Sequence, residues 1–227
     1  AWAALHEDIA LICVCGNHDV GNRPTRASIK RFTNEFGDDH LSFWANGTYN
    51  IVLNTTLIAN PSGAEDLFAN QLEWLRDRLA FAQNNNASQI FVFGHHPWFL
   101  YHEDEEAGDL KGFSTLAKLE GPGLAGAKEV PDSYFHMPKK QRSQFMQLFK
   151  DYNVRAAFSG HFHQNLVSKA SFGMDMIVTS SLSLVLESTG KSKGTNSEPS
   201  TRGIRVVDVG TEESPSFAHN FIPLADQ

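Results

Sequence analysis

The amino-acid sequence predicts an α/β fold, because short apolar strands alternate along it with amphipathic helices. Three continuous apolar runs, at residues 9–15, 89–93 and 154–158, are typical of strands buried on both faces. Apolar residues at helical spacing lie between these runs. The chain has 227 residues, 41% hydrophobic and 20% charged, which is enough for one domain with a sizeable core.

Local patterns predict the remaining elements. The dipeptide Asn46-Gly47 indicates a hairpin, and Pro24 marks the start of the first long helix. The predicted helices span residues 25–36, 65–83 and 138–152. Besides the three apolar runs, strands are predicted at residues 41–44, 49–54, 174–180 and 202–209. Residues 102–136 are interpreted as a loop insertion and residues 191–200 as a flexible connector.

Composition restricts the class of partner and compartment. The net charge of −7 and the lack of a basic run exclude nucleic acid as the main partner. No apolar stretch reaches the ~20 residues that span a bilayer, so no membrane association is expected. The only cysteines, Cys13 and Cys15, are expected to be buried thiols in a reducing compartment, which favours the cytoplasm. The absence of an initiator Met suggests a fragment or a processed chain.

Each of the three apolar runs ends in a glycine followed by polar residues. These loops are Gly16-Asn17-His18-Asp19, Gly94-His95-His96-Pro97 and Gly160-His161-Phe162-His163. Binding sites in open α/β sheets form beyond the carboxyl ends of the strands. Imidazoles and an amide oxygen can hold Zn, Mn or Fe, and two such ions can clamp a phosphoryl oxygen during hydrolysis. A histidine that is not a ligand can protonate the leaving oxygen.

The ordered motifs GNHD, GHH and GHFH resemble the last three signature motifs of the calcineurin-like metallophosphoesterases. The segments FGDDHLSFW, QLEWL, VFGHHPWF and VRAAFSGHFH are similar to the small serine/threonine phosphatases of that family. The resemblance implies two mixed β-sheets packed as a sandwich flanked by helices. It also implies metal-dependent hydrolysis of phosphomonoesters, with phosphoserine and phosphothreonine in proteins, or a small phosphoester, as substrate.

The resemblance also assigns roles to individual residues. The expected ligands of the second metal ion are Asn17, His95 and His161, and His163 would bind the first. His18 would be the general acid, or a donor that steadies the phosphate.

The roles of Asp19 and His96 are less closely defined. Asp19 would orient His18 and raise its pKa, or else cap the turn. His96 is interpreted either as a substrate contact or as a packing residue. Tyr134, Phe135 and Arg142 are candidates for the substrate entrance, and the acidic run at residues 103–106 is expected to be a solvated loop.

The sequence departs from the family pattern before Gly16, where neither an Asp-x-His motif nor a Gly-Asp motif is found. The expectation is that residues 1–227 form the C-terminal portion of a single domain that lacks its first strands. Such a chain would bind at most about one metal ion and be weak or inactive, whereas the intact parent would hold two divalent ions (Mn, Fe or Zn). Two other functions stay open, namely a non-catalytic binding scaffold and a phosphodiesterase or nucleotide pyrophosphatase.

Overall fold

The computed structural model describes residues 6–106, 114–118, 127–183, 185, 187–188, 201–211 and 213–224, and for 114–118, 127–132 and 187–188 the backbone alone. The predicted connector at residues 191–200 lies outside them. The helices are α1 (Asn17–Val20), α2 (Arg26–Phe36), α3 (Thr55–Ala59), α4 (Glu65–Asn84) and α5 (Lys139–Asp151). The strands are β1 (Leu41–Ala45), β2 (Thr48–Val52), β3 (Gln89–Phe93), β4 (Ser114–Lys118), β5 (Ala127–Pro131), β6 (Ala156–Ser159), β7 (Leu166–Lys169), β8 (Asp175–Val178), β9 (Glu187–Ser188), β10 (Gly203–Val209) and β11 (Phe217–Pro223).

A mixed sheet of six strands forms the centre, in the order β1-β2-β3-β6-β8-β7. Strands β2, β3, β6 and β8 run parallel, and the edge strands β1 and β7 run antiparallel to their neighbours. This arrangement confirms the predicted α/β class. Strands β4 and β5, which lie inside the predicted loop insertion, form a separate sheet of three strands with β9.

The central sheet is covered on both faces. On one face the apolar sides of α4 and α5, including Leu75 and Phe145, pack against sheet residues such as Val92. On the other face the β10–β11 hairpin places Val207 and Phe217 against the sheet. A second, smaller sheet therefore stacks on the first, and in the described part of the chain this second sheet has two strands. None of the described helices is both long and apolar enough to cross a bilayer.

The predicted buried strand at residues 9–15 is wrong. The segment has no strand pairing in the structure, and Ile9 and Leu11 are 56% and 48% exposed. The segment lines an apolar pocket together with Val52 of β2. It cannot pair with β2, because that strand already has β1 on one side and β3 on the other. The segment is anchored at its end, where the buried Cys15 packs among the apolar residues of α1, α2 and α3.

The acidic run is solvated only in part, since the side chains of Asp104 and Glu106 are exposed as expected. Glu105 is fully buried, and its carboxylate accepts hydrogen bonds from the backbone N–H groups of Leu100, Tyr101 and His102. Arg142 of α5, only 1% exposed, donates to the backbone carbonyls of Glu103, Glu105 and Met137. Arg142 therefore holds this loop against α5 and does not line the substrate entrance, contrary to the sequence-based interpretation.

Candidate functional site

Two of the glycine loops meet because their strands are neighbours. Strands β3 and β6 pair in parallel, so the loops that begin at Gly94 and Gly160 leave the same edge of the sheet. Backbone hydrogen bonds join them, since Gly94 N–H donates to the Phe158 carbonyl and Gly160 N–H donates to the His95 carbonyl. Helix α1, which starts at Asn17, brings the third loop to the same place.

Three of the predicted ligands converge at this point. The Nε2 atom of His95 lies 2.9 Å from the Asn17 amide oxygen Oδ1 and 3.0 Å from Nδ1 of His161. We call Asn17, His95 and His161 the donor cluster. It consists of the residues that the sequence assigned to the second metal ion.

The backbone around the donor cluster is constrained. A Cβ atom at Gly16 would lie 2.8 Å from the His95 ring, so this position requires glycine for the ring to approach. His161 and His163 have φ angles of +62° and +57°, in the left-handed region that side chains other than glycine rarely adopt. Strain of this kind clusters at binding and catalytic sites, because the rest of the fold must hold it in place.

Thr55 holds the backbone of the loop that carries His95, and no sequence motif marks it. Its hydroxyl oxygen accepts hydrogen bonds from two successive backbone N–H groups, those of His95 at 2.8 Å and His96 at 2.9 Å. Thr55 is fully buried at the start of α3. Helix α3 was itself missed, because residues 49–54 look like one continuous strand although the strand ends at Val52.

Removing the Thr55 hydroxyl should weaken the loop that carries His95. We expect Thr55→Val to lower the free energy of unfolding by about 2–4 kcal/mol, because two buried N–H groups lose their acceptor. Thr55→Ser keeps the oxygen and should cost less. Urea unfolding compares the two variants, with Thr56→Val as the control. Thr56 is also buried, but its hydroxyl has one hydrogen-bonding contact among the described residues, the His96 ring at 3.4 Å. Equal losses in all three variants would contradict this role.

The imidazoles of the donor cluster are neutral near pH 7. Burial, with the charges of His163 and His18, lowers the pKa of His95 from 6.5 to about 4. Burial, with the charge of His95, lowers the pKa of His161 to about 3, although the backbone of Tyr134 acts in the opposite direction. The Nε2 atom of His161 is buried and has no hydrogen-bond partner of good geometry among the described residues. A neutral imidazole is the form that binds a metal ion.

These shifts predict a loss of stability in acid. Between about pH 6.5 and pH 4 the unfolded chain binds protons at both positions and the folded chain does not. The free energy of unfolding should therefore fall with falling pH, by at most about 1.4 kcal/mol per pH unit for each imidazole. Urea unfolding in EDTA at several pH values measures the slope. His161→Asn should give a shallower slope, and an unchanged slope would show that this imidazole does not contribute.

The donor cluster fits a divalent cation. A hydrogen on His95 Nε2 can point to only one of its two neighbours, whereas a cation between the three atoms would accept a lone pair from each. Adjacent ligands of an octahedral ion with bonds of about 2.1 Å lie about 3.0 Å apart, close to the 2.9 and 3.0 Å found here. Among the described residues no group of three or more His, Cys, Asp or Glu forms a metal site. An ion held by this cluster would thus depend on the Asn17 amide as its third ligand.

The other predicted site residues surround this cluster. His18 is exposed and His163 is half-buried. Both lie close enough to His95 and His161 to lower the pKa of these two imidazoles electrostatically. The Asp19 carboxylate accepts a hydrogen bond of 2.8 Å from Gly16 N–H, which closes the turn of α1. His96 is 7% exposed, and its ring centre lies 4.2 Å from that of His161. His96 therefore packs behind the cluster.

Known proteins are similar to this chain in sequence. The sequence model of the calcineurin-like phosphoesterases matches residues 1–165. Serine/threonine-protein phosphatase CPPED1 of Danio rerio is 33% identical over 219 residues, which cover 96% of this chain and 59% of that protein. The Homo sapiens protein of the same name is 31% identical over 221 residues, covering 97% and 58%. The chain thus spans about three fifths of the length of these curated relatives.

Solved structures similar to this chain have lower sequence identity. GAP50, the anchor in the inner membrane complex of Plasmodium, is 17% identical, with a TM-score of 0.47, covering 81% of this chain and 49% of its own. The match of the sequence model extends over most of the chain and includes all three glycine loops. The chain therefore belongs to the calcineurin-like phosphoesterase family.

Proposed function

We propose that the protein hydrolyses phosphomonoesters with the help of divalent metal ions, and that its substrates are phosphoserine and phosphothreonine in proteins. The convergence of Asn17 Oδ1, His95 Nε2 and His161 Nδ1 at the carboxyl ends of β3 and β6 is the observation that supports this most. The family uses divalent metals in general. The relatives from Danio rerio and Homo sapiens are named serine/threonine-protein phosphatases.

In this proposal the donor cluster holds one ion, and His163 contributes to a second ion in the intact parent. A divalent ion (Mn, Fe or Zn) would polarise a phosphoryl oxygen. We infer that this chain binds at most about one ion, and the described residues agree, since no group of three or more His, Cys, Asp or Glu among them forms a metal site.

His18 is exposed beside the cluster and protonates the leaving oxygen, and Asp19 fixes the turn on which His18 stands. The free thiols Cys13 and Cys15 are consistent with a cytoplasmic location.

The role of His18 provides the test of this function. Phosphate release is measured with Mn²⁺, and with a chelator as control, on the 227-residue chain and on a form extended at its N-terminus. We expect His18→Asn to lower kcat by about 10²–10⁴-fold on a phosphoserine peptide. The loss should be smaller on an aryl phosphate, whose leaving group needs less help from an acid. His102→Asn, another exposed histidine, is the control.

Two results would contradict the proposal. Full kcat of His18→Asn on both substrates would remove the acid role. Phosphate release that persists undiminished in the chelator, or that no form of the protein shows with Mn²⁺, would remove the proposed metal-dependent reaction.

A further inference from the structure

We propose that Tyr134 determines substrate specificity by contacting the organic group that carries the phosphate, and that it favours aryl and peptide esters over small ones. This inference rests on the proposed function, since it needs a phosphate bound at the donor cluster. It adds a residue outside the three glycine loops to the site.

The position of the ring carries the inference. The centre of the Tyr134 ring lies 5.3 Å from that of His161, a member of the donor cluster, with the planes inclined by 42°. Tyr134 is 45% exposed, whereas its neighbour Phe135 is 4% exposed. Phe135 packs edge-on against Tyr134 at 5.2 Å and against Phe162 at 5.4 Å, and so supports the ring from the protein side.

The segment that carries Tyr134 is fixed to the site loops. Met137 N–H donates a hydrogen bond of 2.8 Å to the carbonyl of Pro97, in the loop that begins with His95. The Met137 carbonyl accepts a hydrogen bond of 2.7 Å from the buried Arg142. These two contacts fix the backbone at Met137, three residues after Tyr134, so the Tyr134 ring is presented next to the donor cluster at low conformational cost.

The chemistry of the ring indicates the class of substrate. Because the ring packs against His161, the group esterified to a phosphate at the cluster would come within reach of its open face. An aromatic side chain offers a large apolar surface, with few rotamers to lose, to an aryl ring or to the side chains that flank a phosphorylated residue. A small ester group would not extend far enough to use this surface.

Binding of two non-hydrolysable analogues tests the inference without requiring turnover. Phenylphosphonate and methylphosphonate carry the same charged group and differ in the size of the organic one. Isothermal titration with the Mn²⁺-loaded chain gives both affinities for the unaltered protein and for Tyr134→Ala, Tyr134→Phe and Trp44→Ala. Trp44 is the matched control, because it is 43% exposed but lies on the edge strand β1.

We expect Tyr134→Ala to weaken phenylphosphonate binding by roughly three- to tenfold, the loss of one aromatic contact, and to leave methylphosphonate within about twofold. Tyr134→Phe and Trp44→Ala should leave both affinities unchanged. An equal loss for both analogues, or no loss for either, would overturn the specificity role while the proposed function stands. If neither analogue binds to the unaltered chain, the inference is overturned, and the proposed function is then decided by Mn²⁺-dependent phosphate release from the extended form.

Discussion

Replacing His95 with alanine is expected to lower the affinity of the chain for Mn²⁺ by more than about 100-fold. Loss of a residue that only orients a metal ligand typically lowers metal affinity by about 10–100-fold. His95 is placed as a ligand itself, so a larger loss is expected. Its Nε2 atom is the one that lies within 3.0 Å of both other donor atoms, so its removal separates the cluster. Two neutral donors would remain, which is too few to hold a divalent ion tightly.

Titration of the metal-free chain with Mn²⁺ measures this loss. His102→Ala is the control, because His102 is exposed and its side chain lies outside the donor cluster. Circular dichroism of His95→Ala establishes that the variant still folds. Unchanged Mn²⁺ affinity in a folded His95→Ala protein would show that the ion binds elsewhere.

Replacing Arg142 with methionine is expected to lower the free energy of unfolding by about 3–5 kcal/mol. Arg142 is 1% exposed and donates to three backbone carbonyls of the loop and the Met137 segment. Methionine fills a similar volume but removes the guanidinium that donates to the Glu103 and Glu105 carbonyls and lies near the buried Glu105. The Met137 carbonyl keeps its 3.0 Å contact with the His136 ring. The same loop follows directly on His95 and His96, so metal affinity should fall as well.

Urea unfolding of the variant tests this prediction, and Lys139→Met on the same helix provides the control. Lys139 is close to Asp104 and Glu106 at 4.0 and 3.4 Å, but all three side chains are well exposed. Surface ion pairs contribute little to stability, so Lys139→Met should lower the free energy of unfolding by less than about 1 kcal/mol. Similar losses in both variants would mean that the buried network does not stabilise the fold.

The sequence contains enough local information to predict most of the central fold. The apolar spacing from Leu72 to Leu79 predicts α4 to within one residue at its C-terminal end, and Asn46-Gly47 predicts the β1–β2 hairpin. The glycine loops after β3 and β6 predict that His95 and His161 meet, because parallel neighbouring strands end at the same edge. The loop that carries Asn17 follows no strand in the structure. The helix and the hairpin depend on residues close together in the chain, where periodicity and turn chemistry are most informative.

The features that sequence reasoning missed depend on distant partners. Residues 9–15 have the composition of a buried strand, but the composition does not show whether a neighbouring strand is free to pair with them. Glu105 looks like part of a solvated acidic run, and only the fold brings the guanidinium of Arg142, 37 positions further along the chain, to its backbone carbonyl. Thr55 shows no motif at all, since its contacts with His95 and His96 span about 40 positions.

Anomalous diffraction from crystals of the chain soaked in Mn²⁺ tests most directly whether the donor cluster is a metal site. We expect one peak at the manganese edge, within about 2.3 Å of Asn17 Oδ1, His95 Nε2 and His161 Nδ1. The same peak should be absent from crystals of His95→Ala. A strong peak at another place in the molecule, or none at the cluster at saturating Mn²⁺, would contradict the account.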